Sequence, residues 1–309
     1  MTANTNFADR LVHTIRARQT PLIVGLDPRT NQLPEPLLPK SGEPAVVAQA
    51  YLQFCKSIVD VVAPLVPAVK PQMAFFEQLG PPGMQALWEI IAYCTSKELL
   101  VVLDGKRGDI GSTAEAYANA YLGSNGQSAW GADALTVNPW LGRDTLEPFV
   151  QTAMERDAGI FVLVRTSNPG SSDFQSPVAA GQPMFEHVGN AVEQLALKTV
   201  GTCGYGSVGA VIGATWPEEL KQLRDSMPHT LFLVPGFGAQ GGTASDVAQA
   251  FDRQGLGAIV NSSRGIIFGW EAASRKHLAG ERWLEAVEHA TLEAIAQLRE
   301  FTPARSLTS

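Results

Sequence analysis

Cysteine is scarce in this chain: only Cys55, Cys94 and Cys203 occur among 309 residues. Their odd number does not suit a disulfide framework, and their wide separation matches no metal-ligand spacing. We therefore expect a protein of a reducing compartment, the cytoplasm, without a structural metal ion.

Runs of basic residues are absent as well. The 23 Lys and Arg residues are outnumbered by 30 Asp and Glu, which gives a formal net charge of −7 at pH 7. Proteins that bind nucleic acids neutralise phosphates with clustered Lys and Arg. We therefore expect no nucleic-acid partner, and any phosphate that the chain recognises should be small and bound at one place.

Long apolar runs are also missing. The first twenty residues contain no apolar segment of the kind found in secretory signals. The longest uncharged apolar run, residues 61–69, contains two prolines and has roughly half the length of a membrane span. We expect neither export by such a signal nor insertion into a membrane.

The sequence does contain a regular alternation of short apolar runs and longer amphipathic segments. With 45% hydrophobic and 17% charged residues, the chain can form one large core. The apolar runs predict eight strands, at residues 21–26, 67–69, 99–103, 134–137, 160–164, 208–212, 231–234 and 258–260. Amphipathic segments between them predict helices, and the last helix covers residues 283–301.

Eight strand and helix units in about 300 residues are typical of an α/β fold, the (β/α)8 TIM barrel. An open doubly wound sheet would more often carry a glycine-rich fingerprint after its first strand, and none follows Leu26. We predict a single barrel domain over residues 1–301. The Pro, Ser and Thr content of residues 302–309 predicts a frayed tail.

Charge enters the third predicted strand only at its end, where Asp104, Lys106 and Asp109 follow an apolar run. Side chains alternate along a strand, so Asp104 and Lys106 should point the same way. A lone Asp-x-Lys pair is more often a partly exposed ion pair. The spacing Asp-x-Lys-x-x-Asp directly after a buried strand is rarer and favours a catalytic site. Ser112 or Thr113 is expected to cap the helix that follows.

Polar residues follow most of the other predicted strands too. Each has an ordinary explanation, such as a turn at Asp27, a snorkelling Lys70 or a loop cap at Ser167. Their shared placement at the carboxyl ends of barrel strands, where such barrels hold their active sites, favours a common site. The residues so placed are Asp27, Lys70, Asp104, Lys106, Ser167, Gln240 and Arg264.

The last two predicted strands end in sequences suited to an anion. Residues 235–242 contain four glycines, which expose backbone N–H groups, and residues 261–265 supply hydroxyl groups and the guanidinium of Arg264. The loops after strands seven and eight are a frequent phosphate site in such barrels. The alternative is that the glycines only form tight turns and that Arg264 pairs with a surface acid.

Residues 104–113, DGKRGDIGST, resemble the signature of the orotidine 5′-phosphate decarboxylase family in its longer bacterial branch. The segment 167–170 together with Lys70 makes the resemblance specific for the decarboxylase, although Asn168 stands where many members carry histidine. The resemblance covers most of the chain, with further matching segments at residues 25–28, 70–71, 75–77, 166–170, 234–242 and 262–265.

This resemblance implies that the chain decarboxylates orotidine 5′-monophosphate to UMP and CO2, the last step of de novo UMP biosynthesis, without a cofactor or metal ion. It further implies that Lys106 is the acid that protonates C6 of the pyrimidine. Asp104 lies near the substrate carboxylate in this pattern, and Lys70 and Asp109 complete an alternating row of charges.

The resemblance also implies a homodimer in which Asp109, Ile110 and Thr113 contribute to the partner's site. Asp27 is then expected to bind the ribose and Ser167 the pyrimidine. Residues assigned to the phosphate end in the same way are Gln240 and Arg264, with Ser263 as a further substrate-binding residue.

Two alternatives remain open at this point. Sugar-phosphate decarboxylases and aldolases of the same superfamily share the Asp-x-Lys-x-x-Asp spacing but need Mg2+ to hold an enediolate. They are usually shorter, and the segment 167–170 argues against them. A non-catalytic nucleotide-binding barrel is the second alternative, and the presence of the lysine and both aspartates argues against it.

Overall fold

The computed structural model describes residues 6–238 and 242–308. Eight parallel strands form a closed barrel in which each strand pairs with the next along the chain, and the last strand pairs with the first. This confirms the predicted (β/α)8 TIM barrel. The strands are β1 (Leu22–Leu26), β2 (Ala68–Pro71), β3 (Leu100–Arg107), β4 (Ala134–Val137), β5 (Gly159–Arg165), β6 (Val208–Ile212), β7 (Phe232–Val234) and β8 (Ala258–Ser262).

Helices cover the outside of the barrel, so the strands are buried on both faces, and this is why they appear in the sequence as continuous apolar runs. A short hairpin of Val178–Ala179 and Gln182–Pro183 lies outside the barrel sheet. The main helices are α1 (Phe7–Arg18), α2 (Pro44–Val62), α3 (Pro81–Ser96), α4 (Gly111–Tyr121), α5 (Glu147–Glu155), α6 (Met184–Leu197), α7 (Pro217–Ser226), α8 (Ala244–Val247) and α9 (Trp283–Phe301).

Helix α1 closes the amino-terminal end of the barrel, a feature that the sequence analysis did not predict. Its buried face joins the apolar cluster inside the barrel. Phe7 packs edge-on against Phe161 with ring centroids 6.0 Å apart, and it leaves no room for a side chain at Gly159, the first residue of β5. Because α1 covers this end, the carboxyl ends of the strands are the end of the barrel that stays open to a ligand in the part of the chain that the structure describes.

Helix α2 is the one helix among the described residues that is long and apolar enough, by length and composition alone, to cross a membrane. Half of its most apolar window is buried inside the structure. Phe54 of α2 stacks on Phe268 and Trp283, with ring centroids 5.7 and 5.4 Å apart. The apolar composition of α2 is accounted for by this packing into the core between helices and sheet.

The start of α4 differs from the prediction. The helix begins at Gly111 after Ile110, and no side chain caps it, so the expected cap at Ser112 or Thr113 is wrong. Asp109 Oδ1 accepts the backbone N–H of Ile110 at 2.8 Å. The chain therefore turns before Gly111, and the two hydroxyl residues lie already within the first helical turn.

The segment after α9, which the sequence predicted to be frayed, is folded onto the domain in the structure. Pro303–Thr308 form a 3-10 helix, and Thr302 and Ala304 are buried. Thr302 Oγ1 donates to Leu298 O at 2.6 Å and accepts the N–H of Ala304 at 3.1 Å. A polar composition predicts fraying only where no such contacts form.

Candidate active site

A cavity of about 660 Å³ opens at the carboxyl ends of the strands. Its volume lies within the usual range for small-molecule sites. Most of the residues selected from the sequence line it, although they are far apart along the chain: Asp27, Lys70, Asp104, Lys106, Ser167, Ser263 and Arg264. Gln240 lies outside the described residues.

The Asp104 carboxylate is the centre of a buried network at the base of this cavity. Lys70 Nζ and Gln72 Nε2 donate to its Oδ2, at 2.7 and 2.9 Å. Lys106 Nζ and the Thr136 hydroxyl donate to its Oδ1, at 2.6 and 2.9 Å. Four donors from three neighbouring strands and their ends thus fix one carboxylate, and such charge-assisted bonds are the strong ones.

These contacts keep Asp104 and Lys70 in their charged forms. Burial alone would raise the pKa of the Asp104 carboxyl group, but Lys70 and Lys106 outweigh burial and hold this pKa well below its ordinary value of 3.8. Burial alone would lower the pKa of Lys70, yet Asp104 and Asp27 raise it above 10.5. At neutral pH Asp104 is therefore a carboxylate and Lys70 an ammonium.

The two lysines differ in exposure. The Lys70 side chain is 6% exposed and is enclosed beside Asp104, whereas the Lys106 side chain is 47% exposed. Both lysines line the cavity and contact the same carboxylate, but Lys106 has far more of its side chain exposed to the cavity and to solvent. Lys70 is thus placed as a fixed counter-charge, and Lys106 is placed where its proton can reach a ligand.

Asp104 and Lys106 meet as predicted, but not along a regular strand. Lys106 has a φ of +46°, in the left-handed region that non-glycine residues rarely adopt. The pairing of β3 with β4 shifts register between Leu103 and Arg107. The alternation of side chains along a regular strand therefore predicted the contact between Asp104 and Lys106 correctly. It did not predict the irregular backbone through which the two side chains meet.

Glycines in the opposite wall of the cavity allow neighbouring chain segments to lie close together. A Cβ at Gly25 would lie only 1.8 Å from Ser263 Oγ, so only glycine leaves this serine its position beside β1. Gly236 and Gly238 have φ values of +97° and +81°, a conformation that glycine adopts without strain. Arg264 follows Ser263 directly and also lines the cavity.

A buried arginine that sequence reasoning missed supports the segment that carries Ser167. Arg165 is 1% exposed, its guanidinium lies 4.3 Å above the Trp216 ring, and its Nε donates to Glu219 Oε2 at 2.6 Å. Trp216 Nε1 donates to Thr166 O at 3.2 Å. These contacts anchor the chain on the residue before Ser167. The only signal in the sequence was a charge at the end of an apolar run.

Gln72 and Thr136 were also missed. Both line the cavity and donate to Asp104. Neither carries a charge or belongs to a motif, so only the pairing of β2, β3 and β4 identifies them.

Asp109, Ile110 and Thr113 do not line the cavity of their own chain. Ile110 is 61% exposed. A second cavity of about 450 Å³ lies next to the first and shares Asp27, Asp104 and Lys106 with it. The described chain therefore leaves one side of Lys106 accessible from outside.

No group of three or more His, Cys, Asp or Glu that could hold a metal ion occurs within residues 6–238 and 242–308. Both oxygens of Asp104 already face an ammonium group. This donor set is unlike the oxygen-rich sites that Mg2+ prefers.

Comparison with known proteins adds independent findings. The model of the orotidine 5′-phosphate decarboxylase / HUMPS family matches residues 20–272. The chain is 52% identical to the orotidine 5′-phosphate decarboxylase of Rhodopirellula baltica over 95% of this chain and 99% of that protein. It is 39% identical to the orotidine 5′-phosphate decarboxylase of Caldicellulosiruptor bescii over 86% of this chain and 90% of that protein. The structure of Leishmania donovani OMP decarboxylase superposes with a TM-score of 0.73 at 31% identity, covering 96% of this chain and 98% of that one.

Proposed function

Since this chain belongs to the orotidine 5′-phosphate decarboxylase / HUMPS family and decarboxylates orotidine 5′-monophosphate to UMP in pyrimidine biosynthesis, we propose that Lys106 is the general acid of that reaction. The observation that carries this proposal is the ammonium group of Lys106, which lies 2.6 Å from the Asp104 carboxylate and borders the open cavity.

Decarboxylation leaves a negative charge on C6, and no cofactor delocalises this charge. When the bond from C6 to the carboxylate breaks, its electron pair stays on C6 and CO2 departs. A cation beside C6 stabilises this carbanion as it forms, and Lys106 Nζ then transfers a proton to C6. The lysine is left neutral and regains its proton from solvent, so that atoms and charges balance.

Asp104 opposes the substrate carboxylate in this arrangement. Two like charges about 4 Å apart repel by on the order of 4 kcal/mol at an effective dielectric constant near 20. This repulsion disappears when CO2 leaves, so it favours decarboxylation rather than binding. Lys70 supports the arrangement because it keeps Asp104 ionised.

Contacts to the ribose and the phosphate are proposed to supply most of the binding energy, because the reacting base is small. Ser167 is proposed to bind the pyrimidine and Asp27 the ribose; the Oδ1 atom of Asp27 is buried and has no protein partner. Ser263 and Arg264 border the same cavity directly after β8 and are proposed to bind at the phosphate end. Gln240, which lies outside the described residues, retains its proposed phosphate contact from the family resemblance.

The proposed assembly is a homodimer in which Asp109, Ile110 and Thr113 of one subunit reach Lys106 of the other. Three large apolar side chains support it, since they are exposed on the loops after β3 and β4: Ile110 at 61%, Trp140 at 69% and Leu141 at 53%. Exposed apolar groups of this kind mark interaction surfaces. The second cavity beside Lys106 provides space for a partner loop.

Mixing two inactive variants tests the shared site. In a two-fold dimer of Lys106→Ala and Asp109→Ala chains, one site has both substitutions and the other has both native residues. We expect each variant alone to be nearly inactive, and a dissociated and reassociated equal mixture to recover about a quarter of the wild-type activity. Equal mixtures of Lys106→Ala with Lys106→Met serve as the control, since they share a defective residue. A failure of the first mixture to exceed this control, with dimers present, would contradict the shared site.

A decarboxylation assay tests the function itself. The fall in substrate absorbance is followed with orotidine 5′-monophosphate, with and without EDTA. We expect full turnover in both, because the network around Asp104 contains ammonium groups where a metal site would need oxygen ligands. Loss of turnover with EDTA that Mg2+ restores would favour an enediolate enzyme, and UMP binding without turnover would favour a non-catalytic barrel.

A cytoplasmic location is proposed on the state of the cysteines. Cys55 and Cys94 are buried as free thiols, and Cys203 is free as well. Free thiols without disulfides are typical of a reducing compartment.

A further inference from the structure

Thr136 of β4 contacts both members of the central ion pair. It is 1% exposed as a residue and is one of the residues that line the cavity. The hydroxyl donates to Asp104 Oδ1 at 2.9 Å and accepts the backbone N–H of Lys106, also at 2.9 Å. Because a backbone N–H can only donate, the hydroxyl proton is directed to the carboxylate. One side chain thus defines the direction of both bonds.

The backbone of Lys106 needs such support. Its φ of +46° is a strained conformation for a residue with a side chain, and strain of this kind persists only where the surrounding structure holds it. Leu103 pairs with Leu135 and Arg107 with Val137, so four residues along β3 correspond to two along β4. Within this irregular stretch, the N–H of Lys106 donates to the side chain of Thr136 on the neighbouring strand.

We propose that Thr136 is a positioning residue for the decarboxylation. Its hydroxyl fixes the backbone from which the Lys106 side chain extends, and it fixes the Asp104 oxygen that orients the Lys106 ammonium group. Both constraints act on the same Nζ atom and set its distance to C6. The inference rests on the proposed role of Lys106 as the acid.

If Thr136 only filled space in the core, replacing it by valine would leave kcat unchanged. Valine has nearly the shape of threonine and fills the same buried space, but it cannot form either hydrogen bond. Serine keeps the hydroxyl and loses only the methyl group. The comparison of these two variants therefore separates the effect of the hydroxyl from the effect of packing.

The experiment measures kcat, KM and UMP affinity for Thr136→Val and Thr136→Ser. A misplacement of about 1 Å at a reacting group costs on the order of 100-fold in rate. We expect kcat to fall by about 100-fold for Thr136→Val, with KM and the Kd for UMP within about threefold of wild type. We expect Thr136→Ser to retain kcat within about fivefold of wild type.

Thr291→Val is the matched control. Thr291 is fully buried in α9 and donates to Val287 O, remote from the cavity, so its replacement removes a buried hydroxyl without touching the site. We expect a lower Tm with unchanged kcat. If Thr136→Val folds poorly, Thr136→Cys decides the question, because cysteine has about the size of serine but only a weak donor and acceptor.

The inference is overturned if Thr136→Val, or Thr136→Cys in its place, keeps kcat within about threefold of wild type. It is also overturned if Thr136→Ser is as slow as Thr136→Val. Failure of the proposed function has a separate signature, since a wild-type protein that does not turn over the substrate, or a Lys106→Ala variant with normal kcat, contradicts the role of Lys106 itself.

Discussion

Replacing Lys106 by alanine is expected to abolish nearly all turnover. In the proposed mechanism the substitution removes both the cation that stabilises the charge on C6 and the proton that C6 must receive. Electrostatic stabilisation of one developing charge contributes about 100- to 1,000-fold, and general acid catalysis about 100- to 10,000-fold. We therefore expect kcat to fall by at least about 10,000-fold in steady-state decarboxylation kinetics.

The affinity for UMP distinguishes this result from loss of the fold. Lys106 is half-exposed, and its Asp104 partner keeps the bonds from Lys70, Gln72 and Thr136. The variant should therefore fold and bind UMP. Lys221→Ala is the control, because Lys221 forms an exposed ion pair with Asp225 on α7 and should leave all parameters unchanged.

Arg264→Ala provides the contrast within the site. A guanidinium at the phosphate end binds a group that does not react, so its loss should chiefly raise KM. Arg253→Ala, at an exposed arginine, is the matched control. Equal and mild effects of Lys106→Ala and Arg264→Ala would contradict the roles assigned to both residues.

Asp104→Asn is expected to reduce both turnover and stability. Asparagine cannot repel the substrate carboxylate, and it does not neutralise the two lysines. We expect kcat to fall on the order of 1,000-fold, as for other single electrostatic groups in active sites. Breaking a buried ion pair on one side costs about 3–5 kcal/mol of unfolding free energy, and Lys70 and Asp104 are both at least 90% buried as side chains.

The difference in unfolding free energy between wild type and Asp104→Asn should decrease at low pH. The pKa of Asp104 in the folded protein lies below its ordinary value of 3.8. Its contribution to stability is therefore fully present above about pH 4 and is lost as pH falls through the lowered pKa. We expect the gap in unfolding free energy between wild type and Asp104→Asn to be constant from pH 5 to pH 7 and to shrink below pH 4.

Urea unfolding at several pH values measures this gap. Asp225→Asn is the control, since Asp225 is 66% exposed in its ion pair and its loss should cost little. A gap that stayed constant down to pH 2, or an Asp104→Asn variant as stable as wild type at pH 7, would contradict a buried, ionised Asp104.

The sequence by itself determined the barrel and identified most of the polar residues that line the cavity at one end of it. The apolar runs predicted all eight strands, and the bounds of β4 and β6 were correct to the residue. Runs buried on both faces carry this signal because each residue in them is selected for apolar character. Polar residues at the ends of these runs then indicated the face that carries the candidate site, since parallel strands present their carboxyl ends on one side.

Only the tertiary structure decided how the site is held. Gln72, Asp104 and Thr136 are more than thirty residues apart along the chain, and they meet because β2, β3 and β4 pair in one register. The left-handed backbone of Lys106 and the docking of residues 302–308 likewise depend on neighbours distant in sequence. Local composition records burial and strand ends, but hydrogen bonds between strands are fixed by pairing register, and a single sequence does not state that register.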